Sequence, residues 1–471
     1  MPINIASPRA LLALFLLAAS SFPTAQAAVR LPAFYSDNML FQRGQPMVLR
    51  GWADAGETLS ASDGRTPVVT TADATGRWRL ELPPREAAEG LTLRISGRAQ
   101  VLALQNVAVG ELWFASGQSN MGWPMNFMIS RVADIQAARF PGVRIANVQQ
   151  RPSRLPEEDA RADWYAASPE TVREFSAVAY HFARSLHQAL GVPVGVIQAS
   201  WGGTRIEPWM PPEDLARAAP QLSGQRNPHN HMAVGASLYH GMVAPFGDLR
   251  IRGILWYQGE SNLPDGRAYL PKQNGLIEGW RRSWRAPALP FLLAQVAPMD
   301  YSVITNDRRP DLVPRFWEVQ SDVLQTPATG LITTLDLNPA GALHPEQKRE
   351  VGERFSALAL QQVYGRAAAS GARPPMFAGH RAEGASLRVQ WSDATGLRTR
   401  DGRAPRGFEL AGSDGRFVPA QARIEGTTVV VTAPGLSEPR AVRYAWSAVP
   451  DATLVNAAGL PAYPFRHPRS D

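Results

Sequence analysis

Four separate stretches of the sequence carry the side chains that acyl-transfer chemistry needs. In chain order they contribute Ser119, the pair Gly202-Gly203, Asn262 and His344. The hydroxyl could act as a nucleophile, the imidazole as its base, and the glycine backbone and side-chain amide as donors to a developing oxyanion. Each feature alone has an ordinary structural explanation as a cap, a turn or a buried side chain. Their combination predicts a hydrolytic site built on a Ser-His pair.

Three of these stretches directly follow short apolar runs that indicate buried strands. The runs are 107–114, 194–199 and 253–257, and two more occur at 291–296 and 331–335. Between residues 106 and 372 such runs alternate with helical patterns, which predicts a mainly parallel sheet with helices on both faces. Ligands bind beyond the carboxyl ends of the strands in sheets of this kind, so we expect the four groups to meet at one edge.

Two helices are predicted from apolar positions at helical spacing. The first covers about Thr171 to Leu190 and ends before Gly191. The second runs from Pro345 to about Tyr364, with proline at its first helical position and Gly365 after its end. This would place His344 at the N-cap, where the positive end of the helix favours a neutral imidazole that can accept a proton.

The segments on either side of residues 106–372 have the patterning of β structure. Residues 28–105 and 376–471 contain short runs of alternating apolar and polar residues between turn-forming clusters. This pattern predicts a small β-sandwich in the first segment and a β domain in the second. The clearest strands are 46–52 and 76–82 in the first segment, and 386–391 and 427–431 in the second. Residues 371–375 are predicted to form a linker.

The first 27 residues are predicted to be a secretory signal peptide. Arg9 precedes the apolar stretch 10–19, and Ala25-Gln26-Ala27 matches the small-x-small cleavage pattern. The stretch is shorter than the roughly 20 residues that a membrane-spanning helix needs, and no later stretch is long and apolar enough to span. We therefore expect a secreted or periplasmic protein.

Composition excludes several other classes of site. The chain of 471 residues contains no cysteine, which excludes disulfides, a cysteine nucleophile and thiolate metal sites. Its net charge of +7 comes from arginines that are scattered rather than clustered, so no nucleic-acid partner is predicted. His229 and His231 match a metal-ligand pair only loosely, and neither metal nor cofactor is expected.

Longer segments around the four groups carry a more specific signal. They are GELWFASGQSNM (110–121), SWGGTRIEPW (200–209), LYHGMVAPF (238–246), LWYQGESN (255–262) and HPEQKREVGERFSALAL (344–360). These segments, with others near both ends of the chain, resemble the sialate O-acetylesterase family of SGNH-hydrolase carbohydrate esterases. The resemblance implies a flavodoxin-like three-layer α/β/α domain flanked by β-rich regions. It also implies a serine esterase that removes O-acetyl groups from sugars through an acetyl-enzyme.

The resemblance also implies a role for each of the four groups. Ser119 is expected to be the nucleophile, and His344 the general base and then the acid for the departing sugar oxygen. The backbone N–H of Ser119, Gly202 or Gly203, and the side chain of Asn262 are expected to form the oxyanion hole.

The group that orients His344 stays open at this point. Related enzymes often carry an aspartate two or three residues before the histidine, but Ala342 and Gly341 occupy those positions here. Asp336 and Glu260 are the candidate carboxylates. A Ser-His dyad oriented by a backbone carbonyl is the third possibility and the one we favour.

Residues in and beside these segments are candidates for binding the sugar. They are Gln118, Asn120, Arg205, Trp209, Gln258 and Glu260, together with Trp123, Trp201 and Trp256. Arg205 could pair with the carboxylate of an acidic sugar such as sialic acid. Two alternatives remain, namely an acetylesterase of plant cell-wall polysaccharides and a non-catalytic glycan-binding protein. The β-rich regions are expected to brace the central domain rather than to bind glycan.

Overall fold

The computed structural model describes residues 28–128, 130–222, 235–366 and 371–469. The predicted signal peptide, residues 1–27, lies outside these ranges. Within them, none of the helices combines the length and apolar character that crossing a membrane requires.

Short strands make up the N-terminal region, as its alternating pattern predicts. They are β1 (Leu40–Gln42), β2 (Met47–Trp52), β3 (Thr58–Ser62), β4 (Val68–Thr71), β5 (Arg77–Leu82), β6 (Ala88–Ser96) and β7 (Val101–Gly117). The two segments singled out from the sequence, β2 and β5, pair with each other in an antiparallel ladder. In β5, Trp78, Leu80 and Leu82 are buried, whereas the alternate arginines are exposed. This is the period-two pattern of a strand with one face in a core.

The central sheet follows the order β13-β12-β11-β7-β10-β8-β9. Its further strands are β8 (Phe140–Val148), β9 (Ala162–Ala167), β10 (Val194–Ser200), β11 (Gly253–Tyr257), β12 (Phe291–Ala294) and β13 (Thr329–Ile332). All neighbouring pairs are parallel except β8 with β9. The predicted strand at 331–335 therefore lies earlier, at Thr329–Ile332, whereas the predicted strand at 253–257 is confirmed.

Strand β7 belongs to both the N-terminal region and the central sheet. Its first half pairs with β1 and β6, and its last residues pair with β10 on one side and β11 on the other. The strand crosses the predicted boundary between residues 105 and 106 without a break. The nucleophile segment is thus the continuation of a strand that begins in the flanking region.

Helices cover both faces of the central sheet. They are α1 (Ser119–Gly122), α2 (Arg131–Gln136), α3 (Ala177–Leu190), α4 (Pro212–Ala218), α5 (Ser237–Met242), α6 (Tyr269–Ser283), α7 (Ser302–Thr305), α8 (Leu312–Asp322) and α9 (Lys348–Gln362). Successive residues of β7 point into different cores, with Phe114 packed among residues of α6 and α8 and Ala115 among residues of α3 and α9. This is the expected three-layer α/β/α arrangement.

Both predicted helices begin later than their apolar patterns suggest. Helix α3 begins at Ala177, because the side chain of Ser176 accepts a hydrogen bond from the N–H of Ala179 and caps it. Helix α9 begins at Lys348 with Gln347 as its N-cap, so His344 lies in the preceding loop and the N-cap prediction is wrong. The predicted end of α3 at Leu190 is confirmed, with Gly191 in the left-handed conformation.

The C-terminal region contains short antiparallel strands that pack on α8. They are β14 (Met376–Glu383), β15 (Ser386–Ser392), β16 (Arg398–Thr399), β17 (Phe408–Ala411), β18 (Val418–Pro419), β19 (Gln421–Glu425), β20 (Thr428–Thr432), β21 (Ala441–Tyr444), β22 (Leu454–Val455) and β23 (Phe465–His467). The Tyr463 hydroxyl donates to the Trp317 carbonyl oxygen at 3.1 Å, and Arg466 forms an ion pair with Glu318 at 3.1 Å. These contacts hold α8 against the C-terminal region.

A buried polar cluster joins α2, α3 and α9. The carboxylate of Asp134 accepts a hydrogen bond from Ser130 at 2.5 Å and forms an ion pair with Arg349. It lies 3.7 Å from Nε2 of His181, which is fully buried and has no hydrogen bond at either ring nitrogen. Burial, and secondarily the charge of Arg184, lower the pKa of His181 to about 3.

This depressed pKa predicts an acid-sensitive fold. Below about pH 6.5 the unfolded chain binds a proton at His181 that the folded protein does not accept until about pH 3. The free energy of unfolding should therefore fall by up to about 1.4 kcal/mol per pH unit from this group as the pH drops below 6.5. Urea unfolding between pH 7 and pH 5 measures the slope. His181→Asn should show a smaller slope, and equal slopes in both proteins would contradict the assignment.

Candidate active site

Ser119 and His344 lie next to each other at the carboxyl edge of the central sheet. Ser119 is the first residue of α1, just beyond the end of β7, and His344 lies in the loop before α9. The Nε2 atom of His344 is 2.9 Å from Oγ of Ser119. This is hydrogen-bonding distance, so the imidazole can take the proton of the hydroxyl directly.

A sharp change of backbone direction after β7 presents Ser119. Gly117 has a φ of +143°, and a Cβ atom on it would lie 2.0 Å from the carbonyl oxygen of Tyr257. The N–H of Gln118 donates to the same oxygen at 3.1 Å. Because β11 lies this close, only glycine can occupy position 117, and the chain turns there so that Ser119 faces the cavity described below.

The ring of Trp123 and the charge of Lys348 define the surroundings of His344. The two rings are stacked, with centroids 4.3 Å apart and planes 22° apart. Burial, and after it the positive charge of Lys348, lower the pKa of His344. The imidazole is therefore neutral near pH 7, which is the form that a general base requires.

Backbone N–H groups are the candidate oxyanion donors. Among the described residues, no hydrogen-bond acceptor contacts the backbone N–H of Ser119, Gly202 or Gly203. A Cβ atom on Gly202 would lie 3.4 Å from Cβ of Ser119, so the glycine backbone passes directly beside the nucleophile. These three N–H groups are therefore free to donate to the oxyanion of a tetrahedral intermediate.

The structure does not bring Asn262 into this donor set. Its side chain is fully buried, and its Nδ2 donates to Asp265 at 2.8 Å and to Glu207 at 3.2 Å. Its Oδ1 accepts from the N–H of Ile206 at 2.9 Å and from Nε2 of Gln258 at 2.8 Å. The expected oxyanion role of Asn262 is therefore wrong for this geometry, because neighbouring carboxylates take the amide hydrogens.

Asp336 does not orient His344 either. Both of its oxygens accept hydrogen bonds from Arg354, each at 2.7 Å. Within the described ranges, no carboxylate oxygen lies within 4.0 Å of a ring nitrogen of His344. Of the three possibilities left open by the sequence, a pair without a carboxylate fits this geometry best.

This arrangement gives a direct prediction for Asp336→Asn. The variant loses a two-bonded ion pair with Arg354, so the free energy of unfolding should fall by about 1 to 3 kcal/mol. Its kcat for 4-nitrophenyl acetate should stay near the wild-type value, because the carboxylate does not touch His344. Denaturant unfolding and steady-state kinetics on the same preparation measure the two effects. A large fall in kcat in a folded variant would show that Asp336 contributes to catalysis, which would contradict this prediction.

A cavity of about 550 Å³ opens beside the Ser-His pair. It is lined by Gln118, Ser119, Gly202, Gly203, Arg205, Glu260, Ser261, Pro264, Ile304, Thr305, Asn306, Leu343 and His344. Three of the predicted sugar contacts, Gln118, Arg205 and Glu260, thus lie on its wall. His229 and His231 lie outside the described residues.

Three of the other predicted sugar contacts are buried and engaged elsewhere. Gln258 is fully buried and donates to Gln118 and Asn262. Trp209 is fully buried, and its indole N–H donates to the Thr204 hydroxyl at 3.0 Å. Asn120 is fully buried as well. Such aromatic and amide side chains support the loops of the site rather than contact a ligand.

Arg205 is neutralised by acidic neighbours. One terminal nitrogen contacts both oxygens of Asp265, at 2.7 and 2.8 Å, and Glu207 at 3.1 Å. The other donates to the Ser261 carbonyl oxygen at 2.9 Å. Lys272 lies against the same two carboxylates, at 2.6 and 2.7 Å. The cluster contains two positive and two negative charges, so Arg205 offers the cavity no net positive charge.

Comparison with known proteins places the chain among esterases. The sequence model of the family described as carbohydrate esterase, sialic acid-specific acetylesterase, matches residues 109–361. The chain belongs to this carbohydrate esterase family. Ser119, the two glycines and His344 all lie within the matched residues.

Curated relatives and a solved structure agree with the membership. The sialate O-acetylesterase of Homo sapiens is 26% identical over 381 residues, which cover 71% of each protein. That of Mus musculus is 24% identical over 510 residues, covering 92% of this chain and 93% of the relative. The crystal structure of a carbohydrate acetylesterase from Xanthomonas citri is 32% identical, with a TM-score of 0.87 over 94% of this chain and 100% of that one.

Two features of this carbohydrate esterase site were missed by sequence reasoning. Trp123 was considered as a sugar platform, but it stacks on His344. Lys348 was not among the predicted site residues, yet it is buried beside the active-site loop. The sequence did contain a signal for this residue. Nearly all the other basic residues are arginines, so a lysine four positions after His344 indicates a specific local requirement.

Proposed function

We propose that this protein hydrolyses O-acetyl esters on sugars with Ser119 as its nucleophile. The observation that carries the proposal is the 2.9 Å contact between Ser119 and His344 on the wall of a cavity. Membership of a carbohydrate esterase family supports the reaction class.

The geometry supports a two-step mechanism. The Nε2 atom of His344 takes the proton of Ser119 as Oγ attacks the acetyl carbonyl carbon, and the backbone N–H groups of Ser119, Gly202 and Gly203 bind the oxyanion. The intermediate collapses, and the sugar oxygen leaves with the proton from His344. A water molecule, deprotonated by the same imidazole, then attacks acetyl-Ser119. The bond between Oγ and the acyl carbon breaks, Oγ takes the proton back from His344, and acetate leaves. Both attacks start from a neutral imidazole, which the lowered pKa of His344 favours in the resting enzyme.

We further propose that the preferred sugars carry no charge. Arg205 is the one lysine or arginine among the described residues that line the cavity, and two carboxylates already neutralise it. A sialic acid would bring a carboxylate to a wall that also holds the buried Glu260. The names of the curated relatives favour sialate, whereas the charge balance of this cavity favours an acetylated neutral sugar.

One experiment tests both statements. Purified protein is offered 4-nitrophenyl acetate, O-acetylated sialic acid and acetylated xylo-oligosaccharides, and acetate release is followed with Ser119→Ala as the blank. Mass spectrometry after a rapid quench should find the acetyl group on the peptide that contains Ser119. We expect acetate release with a higher kcat/KM for the neutral sugar. No release by the wild type would favour a glycan-binding protein, and a preference for sialate would overturn the neutral-sugar proposal alone.

We also propose that the protein is exported. The proposal rests on the arrangement of Arg9, the apolar stretch 10–19 and the Ala25-Gln26-Ala27 site. N-terminal sequencing of protein expressed with its full leader should find Ala28 as the first residue. Recovery of the intact N-terminus from the cytoplasmic fraction would contradict it.

A further inference from the structure

His344 lacks the carboxylate that commonly orients a catalytic histidine. Asp336 is bound to Arg354, and no other carboxylate of the described residues is within ion-pair distance of the ring. A histidine that accepts and returns a proton must still be held in one orientation. Stacking on Trp123 restrains the ring plane. The loop that carries the ring needs a restraint of its own.

The buried side chain of Asn120 contacts that loop. Its Nδ2 donates to the carbonyl oxygen of Leu343 at 3.1 Å and to Oε1 of Glu260 at 2.5 Å. Its Oδ1 accepts from Nζ of Lys348 at 2.7 Å. Asn120 directly follows the nucleophile, and Leu343 directly precedes the base. One amide group therefore links the two segments whose separation sets the catalytic distance.

Two charged side chains fix the orientation of this amide. The ammonium group of Lys348 only donates hydrogen bonds, and the ionised form of Glu260 only accepts them. Burial raises the pKa of the Glu260 carboxyl, and the hydrogen bond from Asn120 and the charge of Lys348 oppose this rise. The amide oxygen must therefore face Lys348 and the nitrogen must face Glu260, which leaves the second N–H for Leu343. Lys348, Asn120 and Glu260 are 1%, 0% and 3% exposed, so water does not compete for these bonds.

The same lysine acts on the imidazole through its charge. The groups facing Lys348 are Glu260, the His344 ring and the ring of Tyr257, whose centroid is 5.9 Å from Nζ. Burial lowers the pKa of Lys348 to about 7 despite the opposing effect of Glu260. While protonated, Lys348 favours the neutral form of His344. A carboxylate in the usual position would instead favour imidazolium.

We propose that Lys348 and Glu260 are positioning residues that hold Asn120 and, through it, the loop carrying His344, in place of the absent carboxylate. The inference rests on the function proposed above for Ser119 and His344. It gives Asn120 and Glu260 a structural task in catalysis instead of the sugar contacts that the sequence suggested.

Lys348→Met tests the proposal, because methionine has a similar length but neither charge nor donor. With 4-nitrophenyl acetate, which has no sugar to bind, we expect kcat to fall about 100-fold with KM little changed. We also expect the acidic limb of the kcat/KM profile to move to higher pH, because His344 loses a neighbouring cation. A purely structural effect on folding would leave that limb in place.

Lys272→Met is the matched control. Lys272 is the chain's other lysine, is equally buried, and pairs with Glu207 and Asp265 rather than with the loop of His344. Its replacement should lower stability and leave the acidic limb where it is. An unchanged kcat and acidic limb in Lys348→Met, or an equal shift in the control, would overturn the inference.

A charge-balanced variant covers the case in which the single change does not fold. Lys348→Met combined with Glu260→Gln removes both charges, so no unpaired charge is left buried. We expect the double variant to fold and to show the same loss of kcat, whereas wild-type kcat would overturn the inference. Ser119→Ala distinguishes failure of the positioning role from failure of the proposed function. If Ser119→Ala is inactive while the lysine variants keep wild-type kcat, the proposed function stands and only the positioning role is refuted.

Discussion

Replacing Ser119 by alanine should lower kcat for an acetylated sugar by about 10,000-fold to 1,000,000-fold. The variant keeps the oxyanion donors and the cavity, so KM should change far less than kcat. His344→Ala should cost a similar factor, since the hydroxyl at 2.9 Å loses the base that activates it. The double variant should be no slower than either single one, because the two groups act as one unit. Stopped assays of acetate release with long incubations reach the required sensitivity.

Ser261→Ala is the control for this prediction. Ser261 also lies on the cavity wall, but it is not paired with His344. Its loss should leave kcat within about tenfold of the wild-type value, as for a side chain that only contacts substrate. Comparable losses in Ser119→Ala and Ser261→Ala would mean that cavity shape, rather than the nucleophile, had been disturbed.

The second large effect is expected from Gly117→Ala. The added Cβ would sit 2.0 Å from the carbonyl oxygen of Tyr257, and the φ of +143° strains any residue with a side chain. The turn must open, and we expect Ser119 to move away from His344. Displacement by about 1 Å should reduce kcat by at least about 100-fold, in addition to a loss of stability of about 3 kcal/mol. Kinetics below the unfolding transition and thermal unfolding measure the two effects separately.

Gly110→Ala distinguishes displacement of the nucleophile from general damage to β7. A Cβ on Gly110 would also lie 2.0 Å from a carbonyl oxygen, that of Pro193, but seven residues before Gly117. It should lower stability similarly while the folded fraction keeps a nearly normal kcat. If both glycine variants lose kcat equally, the turn at 117 has no special role in presenting Ser119.

The sequence was sufficient for the sheet edge and for the reactive pair. The ends of buried strands can be recognised from local sequence, because an apolar run followed by small and polar residues marks the point where such a strand reaches the surface. Ser119 and the Gly202-Gly203 pair follow such runs, so their placement at one edge required only that the strands be parallel. His344 has no strand directly before it, so its pairing with Ser119 rested on the combination of the four residue types and on the family resemblance.

These three failures share one physical cause, which is competition from charged partners that the fold brings against the same side chain. Asn262 has the right type and position for an oxyanion donor, but Asp265 and Glu207 take its amide hydrogens. Arg205 is likewise occupied by Glu207, two residues further along, and by Asp265. The carboxylate of Asp336 accepts hydrogen bonds from Arg354, which lies 18 residues further along the chain. Local pattern predicts where a polar side chain lies, but its hydrogen-bond partner is decided by the tertiary fold.

The shared strand β7 has a consequence for the order in which the molecule assembles. Its antiparallel partner β6 and its parallel partner β1 both precede it in the chain, so all three are available early as the ribosome extends the polypeptide. The sheet can then grow outward from a strand that is already held, as β10 and β11 emerge and pair with its exposed edges. A gene fragment starting at residue 106 would remove β1, β6 and the first five residues of β7, and we expect its product to aggregate rather than fold.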